Sequence, residues 1–533
     1  MFFRFRPATV LFWGLCGALI LGLAGACGPE QYKAQADKEV YEIINSKWEQ
    51  SFGDMSNYRI GDINMTSDEA VIQPALPQSG TLSLAQAVAI ATKHNRDYQS
   101  QKEQLYLTAL DLTLARHRFA RQWFGTIDAA YARDSEDETV SYDAEVGFDQ
   151  LLADGAQIST SIALDWVRFL TGDPRTSLGS VLSATITQPL LRGSGRKVVQ
   201  ENLTQAERYV LYQIRSFNRF RKIFVVSIVA DYYRVLQQRD EVTNAENNYK
   251  RRLESKNRLE MEADAGRRNR FEVDQAEQNV LRARDSYVRA QQSYKQRLDE
   301  FKIRLALPTD ADIDLDQNEL RALQEAGITE PDYTLDAAVE TALLQRLDFA
   351  NSADSIDDAL RKVMVAADDL GPELDLIGTA SVDSTEETNF DRLRFHEGNY
   401  SLGLSGDLPL DRKVERNAYR EALIALEQGQ RKYENDKDEV KLDVRQAYRQ
   451  LQEAAERYRI QRNSLDLAEK RVESTTLLLE AGRLTTRDLL EAQDALLDAQ
   501  NSLTGALVDH AIAKLNFFRD VGILKVRPDG MWE

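Results

Sequence analysis

The chain has 533 residues, enough for several ordinary domains, yet only 27 glycines and 11 prolines interrupt it. With 29% charged and 8% aromatic residues the composition is not that of a disordered chain, and stretches rich in Ala, Leu, Glu, Gln, Arg and Lys point to long helices. A net charge of −19 argues against a nucleic-acid surface, which needs clustered Lys and Arg, and suits a surface or lumen that repels anions.

The N-terminus reads as a targeting segment. Arg4 and Arg6 precede an apolar run over 10–23 that ends in the small residues LAGAC. That is an export signal, too short for a membrane span. Of the two cysteines, Cys16 lies inside the run and Cys27 at its end, so removal of 1–26 leaves one thiol and no internal disulfide. A cysteine at the new N-terminus after Ala-Gly-Ala resembles the bacterial lipoprotein signal, in which that residue, Cys27 here, is acylated with chains such as palmitate. The alternative is ordinary cleavage beside a free thiol. Residue 28 is Gly and not Asp, which by the same resemblance favours the outer membrane. Acyl chains add roughly 0.8 kcal/mol per buried CH₂, so several of them tether this end firmly.

After a lipid-anchored leader over 27–80, the chain repeats itself. LAQAVAIATKHNRDY at 84–98 lies over LDAAVETALLQRLDF at 335–349, pairing Ala87 with Ala338, Ala91 with Ala342 and Asp97 with Asp348. ITQPLLRGSGR at 186–196 answers SGDLPLDRK at 405–413, each with a proline between strand-like and helix-like sequence. EADAGRRNRFEVDQAE at 262–277 answers LEAGRLTTRDLLEAQ at 479–493, pairing Gly266 with Gly482 and Glu272 with Asp488. Three landmarks in one order make two halves of similar plan, 81–310 and 333–522, with a link at 311–332 and a tail at 523–533.

Each half runs helix, strands, very long helix, glycine break, return helix. The strand regions, 124–190 and 374–410, have period two. In YDAEVGFDQ the apolar side is Tyr142, Ala144, Val146 and Phe148, and in QISTSIALDW it is Ile158, Ile162, Leu164 and Trp166, with Asp154-Gly155 turning between them. Leu182, Ala184 and Ile186 continue the pattern, as do Leu376, Ala380, Val382, Tyr400, Leu402 and Leu404 in the second half. Strands of about ten residues, apolar on one side and polar on the other, suit a membrane barrel with a wet interior; a soluble sheet with one solvated face shares the pattern.

The helix over 414–480 carries Val440, Val444, Ala447, Leu451, Ala454, Tyr458, Gln461, Leu465, Ala468, Val472, Thr475 and Leu479 at alternating steps of four and three, the spacing of a coiled-coil seam. At about 1.5 Å per residue it makes a rod of ~100 Å. Its partner helix, 485–518, packs back along it after a turn at Gly482. Glycine reaches the left-handed conformation that ends a helix, and Thr485 or Thr486 can cap the next. The fold class is therefore mostly α with a membrane β part: two repeats of long coiled-coil hairpins plus strands.

The signal, the paired Leu-x-x-Ala-Val helices, the strand-to-helix QPLLRGSGR, the rods and the glycine turns together resemble the TolC family of outer-membrane efflux channels, over nearly all of 81–522. The resemblance implies a trimer with a β-barrel in the outer membrane and an α-helical tunnel, a periplasmic adaptor (membrane fusion) protein, and an inner-membrane efflux pump or ABC transporter. Physics agrees on the oligomer, because a few strands per chain leave edges unsatisfied in lipid. It also implies two strands per half, whereas the first half carries one hairpin more, around Asp154-Gly155. The same conduit could serve type I protein secretion. A lipid-anchored coiled-coil tether without a pore is the alternative of another class, but a tether needs no strands with alternating faces.

No catalytic constellation appears, and neither an enzyme nor a cofactor is expected. His94, His117, His396 and His510 are scattered without metal-ligand spacing, and RGSGRK at 192–197 lacks the order of a phosphate loop. The resemblance implies a ring of acids after the second tip glycine, which falls on Asp488 and Glu491, one turn apart on one helix face. As simple surface acids near a helix N-terminus both would be stabilising anyway. The family also closes the entrance by polar links between hairpins, for which Arg483 and Arg487 with Glu272 and Asp274 are the candidates. The adaptor is expected at the tips 265–270 and 481–486, above all at Ala265, Gly266, Arg267, Ala481, Gly482 and Arg483. The run RRNR after Gly266 is more basic than is usual there.

Overall fold

The computed structural model describes residues 28–52, 58–60, 81–133, 137–170, 176–328, 333–385, 389–527 and 531. Cys27, the signal segment and much of the leader lie outside them. Helix α1 (Pro29–Phe52) is followed by a short strand β1 (Thr81–Leu82) and helices α2 (Leu84–His94) and α3 (Arg96–His117). Four long strands come next: β2 (Gln122–Arg133), β3 (Glu138–Leu151), β4 (Gln157–Phe169) and β5 (Thr176–Pro189). The single turn α4 (Arg196–Val199) leads into α5 (Glu201–Asp264) and its return helix α6 (Arg270–Arg304). The link holds β6 (Asp314–Leu315), which pairs in parallel with β1, and α7 (Asn318–Ala326). The second repeat has α8 (Leu335–Gln345), α9 (Leu347–Asp368), β7 (Glu373–Thr385), β8 (Asn389–Leu393), β9 (Asn399–Asp407), α10 (Lys413–Glu480) and α11 (Thr486–Val521). Among the described residues no helix is long and apolar enough to cross a membrane.

The sequence echo is a structural echo. Helix α2 starts at Ser83, whose hydroxyl accepts from the Gln86 N–H at 3.3 Å while the Gln86 side chain accepts from the Ser83 N–H at 3.0 Å. Helix α8 starts at Thr334, which accepts from the Ala337 N–H at 3.3 Å. Both helices stop at one extended residue, Asn95 and Arg346, before the chain turns helical again. A local signal placed at matching points of the two halves produces the same kinked helix pair twice.

The chain divides into two compact units. One holds the helical hairpins. There Val440, Val444, Ala447 and Leu451 of α10 are buried with Ala338, Ala342 and Phe349 of the kinked pair and with Phe517 and Val521 of α11. Farther along, Tyr458 packs with Ala506 and Leu507, and Ala468 with Leu496 and Ala499. The seam expected from the heptad spacing is thus the buried seam, and each Val, Leu or Phe taken fully from water contributes about 1.5–3 kcal/mol, with less from each alanine. In the first repeat Tyr98 lies against Phe217 and Phe224, with ring centroids 5.7 and 5.1 Å away, and Tyr232 against Phe301 at 6.0 Å.

The other unit contains the antiparallel sheet. Its order is β2-β3-β4-β5-β7-β9, with β8 pairing only the last residues of β7. The register places Ile127 beside Ala144, Ala144 beside Leu164, Ile162 beside Leu182, Leu182 beside Val382, and Leu376 beside Leu404. One face is therefore apolar across all six strands. The other carries Asp128, Asp143 and Asp165 in one row, and Thr185, Thr379 and Ser401 in another. The extra hairpin of the first half joins this sheet: β3 and β4 pair without a break from Thr139–Phe169 to Leu151–Gln157.

Candidate tunnel-entrance site

Both tips are built by the same backbone device. At the first, Gly266 has φ 71°, its N–H donates to the Ala263 carbonyl at 3.0 Å, and the Arg267 N–H to the Glu262 carbonyl at 2.9 Å. At the second, Gly482 has φ 69°, with Gly482 bonded to Leu479 at 3.0 Å and Arg483 to Leu478 at 2.9 Å. This pair of bonds satisfies the last carbonyls of a helix and needs a left-handed residue, which is why glycine recurs at each position. Ala265, Gly266, Arg267, Ala481, Gly482 and Arg483 are all exposed.

The return helix α11 starts at Thr485. The Asp488 carboxylate reaches back to accept from the Thr485 N–H at 2.9 Å and from its hydroxyl at 2.6 Å. These two bonds from Thr485 hold the Asp488 carboxyl below the usual carboxylate range. Glu491, one turn on, accepts from Arg471 of α10 at 2.9 Å, and both side chains are well exposed. The two acids expected at the entrance thus share one helix face, and within one chain each already has a partner from its own hairpin.

The expected closing links have a different composition within one chain. Glu272 accepts from Arg268 at 3.4 Å and from the Thr486 hydroxyl of the other hairpin at 3.1 Å. Asp274, Arg483 and Arg487 are exposed, and among the described residues no contact inside the chain joins them to one another or to Glu272.

Sequence reasoning missed two arginines that tie the hairpins together. Arg268 donates to Glu262 at 3.2 Å and to the carbonyl of Leu479 at 3.4 Å. Arg252 of α5, with 4% of its side chain exposed, donates to Asp494 and, at 3.3 Å, to the Leu490 carbonyl of α11. Burial pushes the Arg252 guanidinium pKa down, with the Asp494 charge opposing. Beyond the basic run RRNR, which contains Arg268, the signal was asymmetry of the repeat: the offset that lays Gly266 on Gly482 sets Arg252 over Ala468 and Arg268 over Leu484. Charged residues stand where the second half has a seam alanine and a tip leucine. Among the described residues no group of three acids, histidines or cysteines could hold a metal ion.

Residues 338–518 match the family described as outer membrane efflux protein. None of the curated proteins matches the chain in sequence. Solved structures do match its fold. The CmeC outer membrane channel of Campylobacter jejuni aligns with a TM-score of 0.60 at 15% identity, over 82% of this chain and 85% of that one. The outer membrane protein VceC of Vibrio cholerae aligns with 0.61 at 14%, over 82% and 96%. The open state of the MtrE outer membrane channel of Neisseria gonorrhoeae aligns with 0.60 at 14%, over 82% and 88%. From kinked helix pair to return helix, this chain carries the outer membrane efflux protein segment within the fold of the outer-membrane channels.

Proposed function

We propose that the protein is the outer-membrane channel subunit of a tripartite efflux system. In this reading three copies form a conduit from the periplasm to the outside, opened at the hairpin tips by a periplasmic adaptor and driven by an inner-membrane pump. Cys27, acylated, anchors the N-terminus to the outer membrane.

The observation that carries the reading is the exposed apolar face of the sheet. Trp123, Ile127, Val146, Leu402 and Leu404 are each more than half exposed on that face, while the polar residues of the same strands, among them Asp128, Asp143, Glu145, Ser401 and Ser405, lie on the other. A contiguous apolar face of this extent is a place of contact with lipid or protein, since monomeric soluble proteins rarely leave one open. Two ring pairs, Trp123–Phe148 and Tyr142–Trp166, have centroids 5.1 and 5.2 Å apart. Phe148 and Tyr142 lie six residues apart on β3, a rise of about 20 Å. At the usual barrel tilt of about 35–45° that is about 15 Å of depth, within the roughly 25 Å apolar band that a membrane barrel presents to lipid.

A tether without a pore has no use for such a face. Protein secretion would use the same conduit, and the channel chemistry is common to both. The test is reconstitution: the detergent-extracted protein should be a trimer by light scattering and should conduct ions in planar bilayers. A monodisperse monomer, or a trimer that never conducts, would remove the channel reading.

A further inference from the structure

The sheet is open, and its two edges fit each other. Direction alternates across β2-β3-β4-β5-β7-β9, so β9 runs opposite to β2. A second copy placed beside the first by rotation about the sheet's long direction would set its β2 antiparallel to this β9. Six strands per copy make that match; an odd number would bring parallel edges together. Every residue of β9 is exposed, and in β2 all but Phe124 are. In lipid, an edge of free N–H and C=O groups costs several kcal/mol for each unsatisfied group, so these edges require a partner. The apolar face reaches both: Trp123, Ile127 and Tyr131 on one edge, Tyr400, Leu402 and Leu404 on the other, all exposed.

The additional hairpin is fastened into this sheet and is not an appendage. Between β3 and β4, the Leu152 N–H donates to the Ala156 carbonyl at 2.7 Å, and the Gly195 N–H, beyond β5, donates to the Asp154 carbonyl at 3.1 Å. Gly155 has φ +101°, and a Cβ there would stand 2.8 Å from the Gly193 carbonyl oxygen and 2.9 Å from the Pro189 ring. The turn is thus seated against the corner where β5 becomes helix, and only glycine fits it.

We propose that all six strands are wall strands, and that β9 of each copy pairs with β2 of the next. The proposal rests on the trimeric channel reading. Six strands from each of three copies then close a barrel of eighteen, where two strands per half would close one of twelve. Barrel diameter grows roughly linearly with strand number, so this barrel is about half as wide again, in the range of about 16–18 strands that leaves an aqueous channel. Its acid-bearing and hydroxyl-bearing face lines that channel. The membrane end is then open to large hydrated solutes, and discrimination falls to the helical tips.

Facing limits the register. With the apolar residues kept on one side, odd-numbered residues of β2 stand opposite even-numbered residues of β9, and even opposite odd. Thr126→Cys would therefore be combined in turn with Ser401→Cys, Gly403→Cys and Ser405→Cys, and oxidised in isolated outer membranes. Within one copy the two edges are separated by four strands at about 4.8 Å spacing, well beyond the ~7 Å reach of a disulfide, so any bond formed joins two copies. At least one pair should give a ladder on non-reducing gels that ends at three copies. Thr126→Cys with Leu402→Cys, on opposite faces, should give none, and neither should Ser161→Cys of β4 with the same three β9 positions.

Cross-linking through Ser161→Cys in place of Thr126→Cys would overturn the proposal. It would mean that β4 is the true edge and the β2–β3 hairpin lies outside a barrel of twelve, with the trimeric channel intact. A trimer by native mass that cross-links in neither series would also overturn the edge pairing alone. A ladder ending at another number of copies overturns the count of eighteen. A monomer by mass with no ladder overturns the channel reading as well.

Discussion

Arg252 and Asp494 join the two hairpins of one chain: the guanidinium is buried, its side chain 4% exposed, while the carboxylate that receives it is 64% exposed. The pair is thus half inside and half in water. Its asymmetry determines what each substitution does. Asp494→Ala leaves the buried cation with two neutral acceptors, the Leu490 carbonyl at 3.3 Å and the Asn248 side chain at 3.4 Å. Leaving a buried charged group short of a partner costs about 1–3 kcal/mol, here reduced because water reaches the acid side. The expected result is faster amide exchange over 481–494 and a higher mean conductance in planar bilayers, as the hairpins part more readily. Unchanged exchange would show that the pair adds nothing to holding the tips together.

The acid pair of the second tip makes a separate prediction. Asp488→Asn with Glu491→Gln changes side-chain volume little and removes two negative charges per chain. If three chains ring a constriction, a preference for cations and block by multivalent cations should both fall sharply in the double variant. Charge in a narrow, partly desolvated opening acts more strongly than on an open surface. The control is Glu427→Gln with Glu434→Gln on α10, both exposed and far along the rod from Gly482. Equal behaviour of the two variants would assign selectivity to the overall acidity of the lumen and not to these residues.

The cap at Thr485 predicts a pH dependence. Its N–H and hydroxyl lower the Asp488 pKa, so the charge persists through the ordinary carboxylate range, while the stability its cap contact contributes is complete only above that range. Both are lost as pH falls through the lowered value. Thr485→Ala removes one donor and keeps the N–H, so the midpoint should move up. In a Glu491→Gln background, cation preference measured against pH should therefore fade at a higher pH in Thr485→Ala than in its parent. A midpoint that stays or moves down would show that the hydroxyl bond does not control this carboxylate.

At the N-terminus, Cys27→Ser should abolish labelling by radioactive palmitate and leave a precursor that migrates above the mature band. Trimer formation should survive, because the barrel is a separate attachment to the membrane. Persistent labelling would remove the acyl anchor from the reading.

The hairpins were legible because their signals are local. A seam with steps of four and three can bury its apolar residues only against another helix, and glycine ahead of a threonine cap can stop one helix and start the next wherever it occurs. The seam from Val440 to Val472 and the turns at Gly266 and Gly482 lie where those patterns put them. Strand alternation was legible from Tyr142 to Ile186 for the same reason: period two alone sorts the faces.

What the tertiary structure decided is which distant pieces meet. Strand β2 hides its alternation, because Gly125 and Ala129 interrupt its apolar face and Phe124, Ala130 and Ala132 sit on the other; only its ladder with β3 assigns the faces. The sheet's width, six long strands where the resemblance implied two per half, follows from β5 meeting β7 across the two halves. Arg252 and Asp494 are 242 residues apart. A charged residue in a helix reads as surface until a second helix covers it, and no periodicity within either helix records which partner that will be.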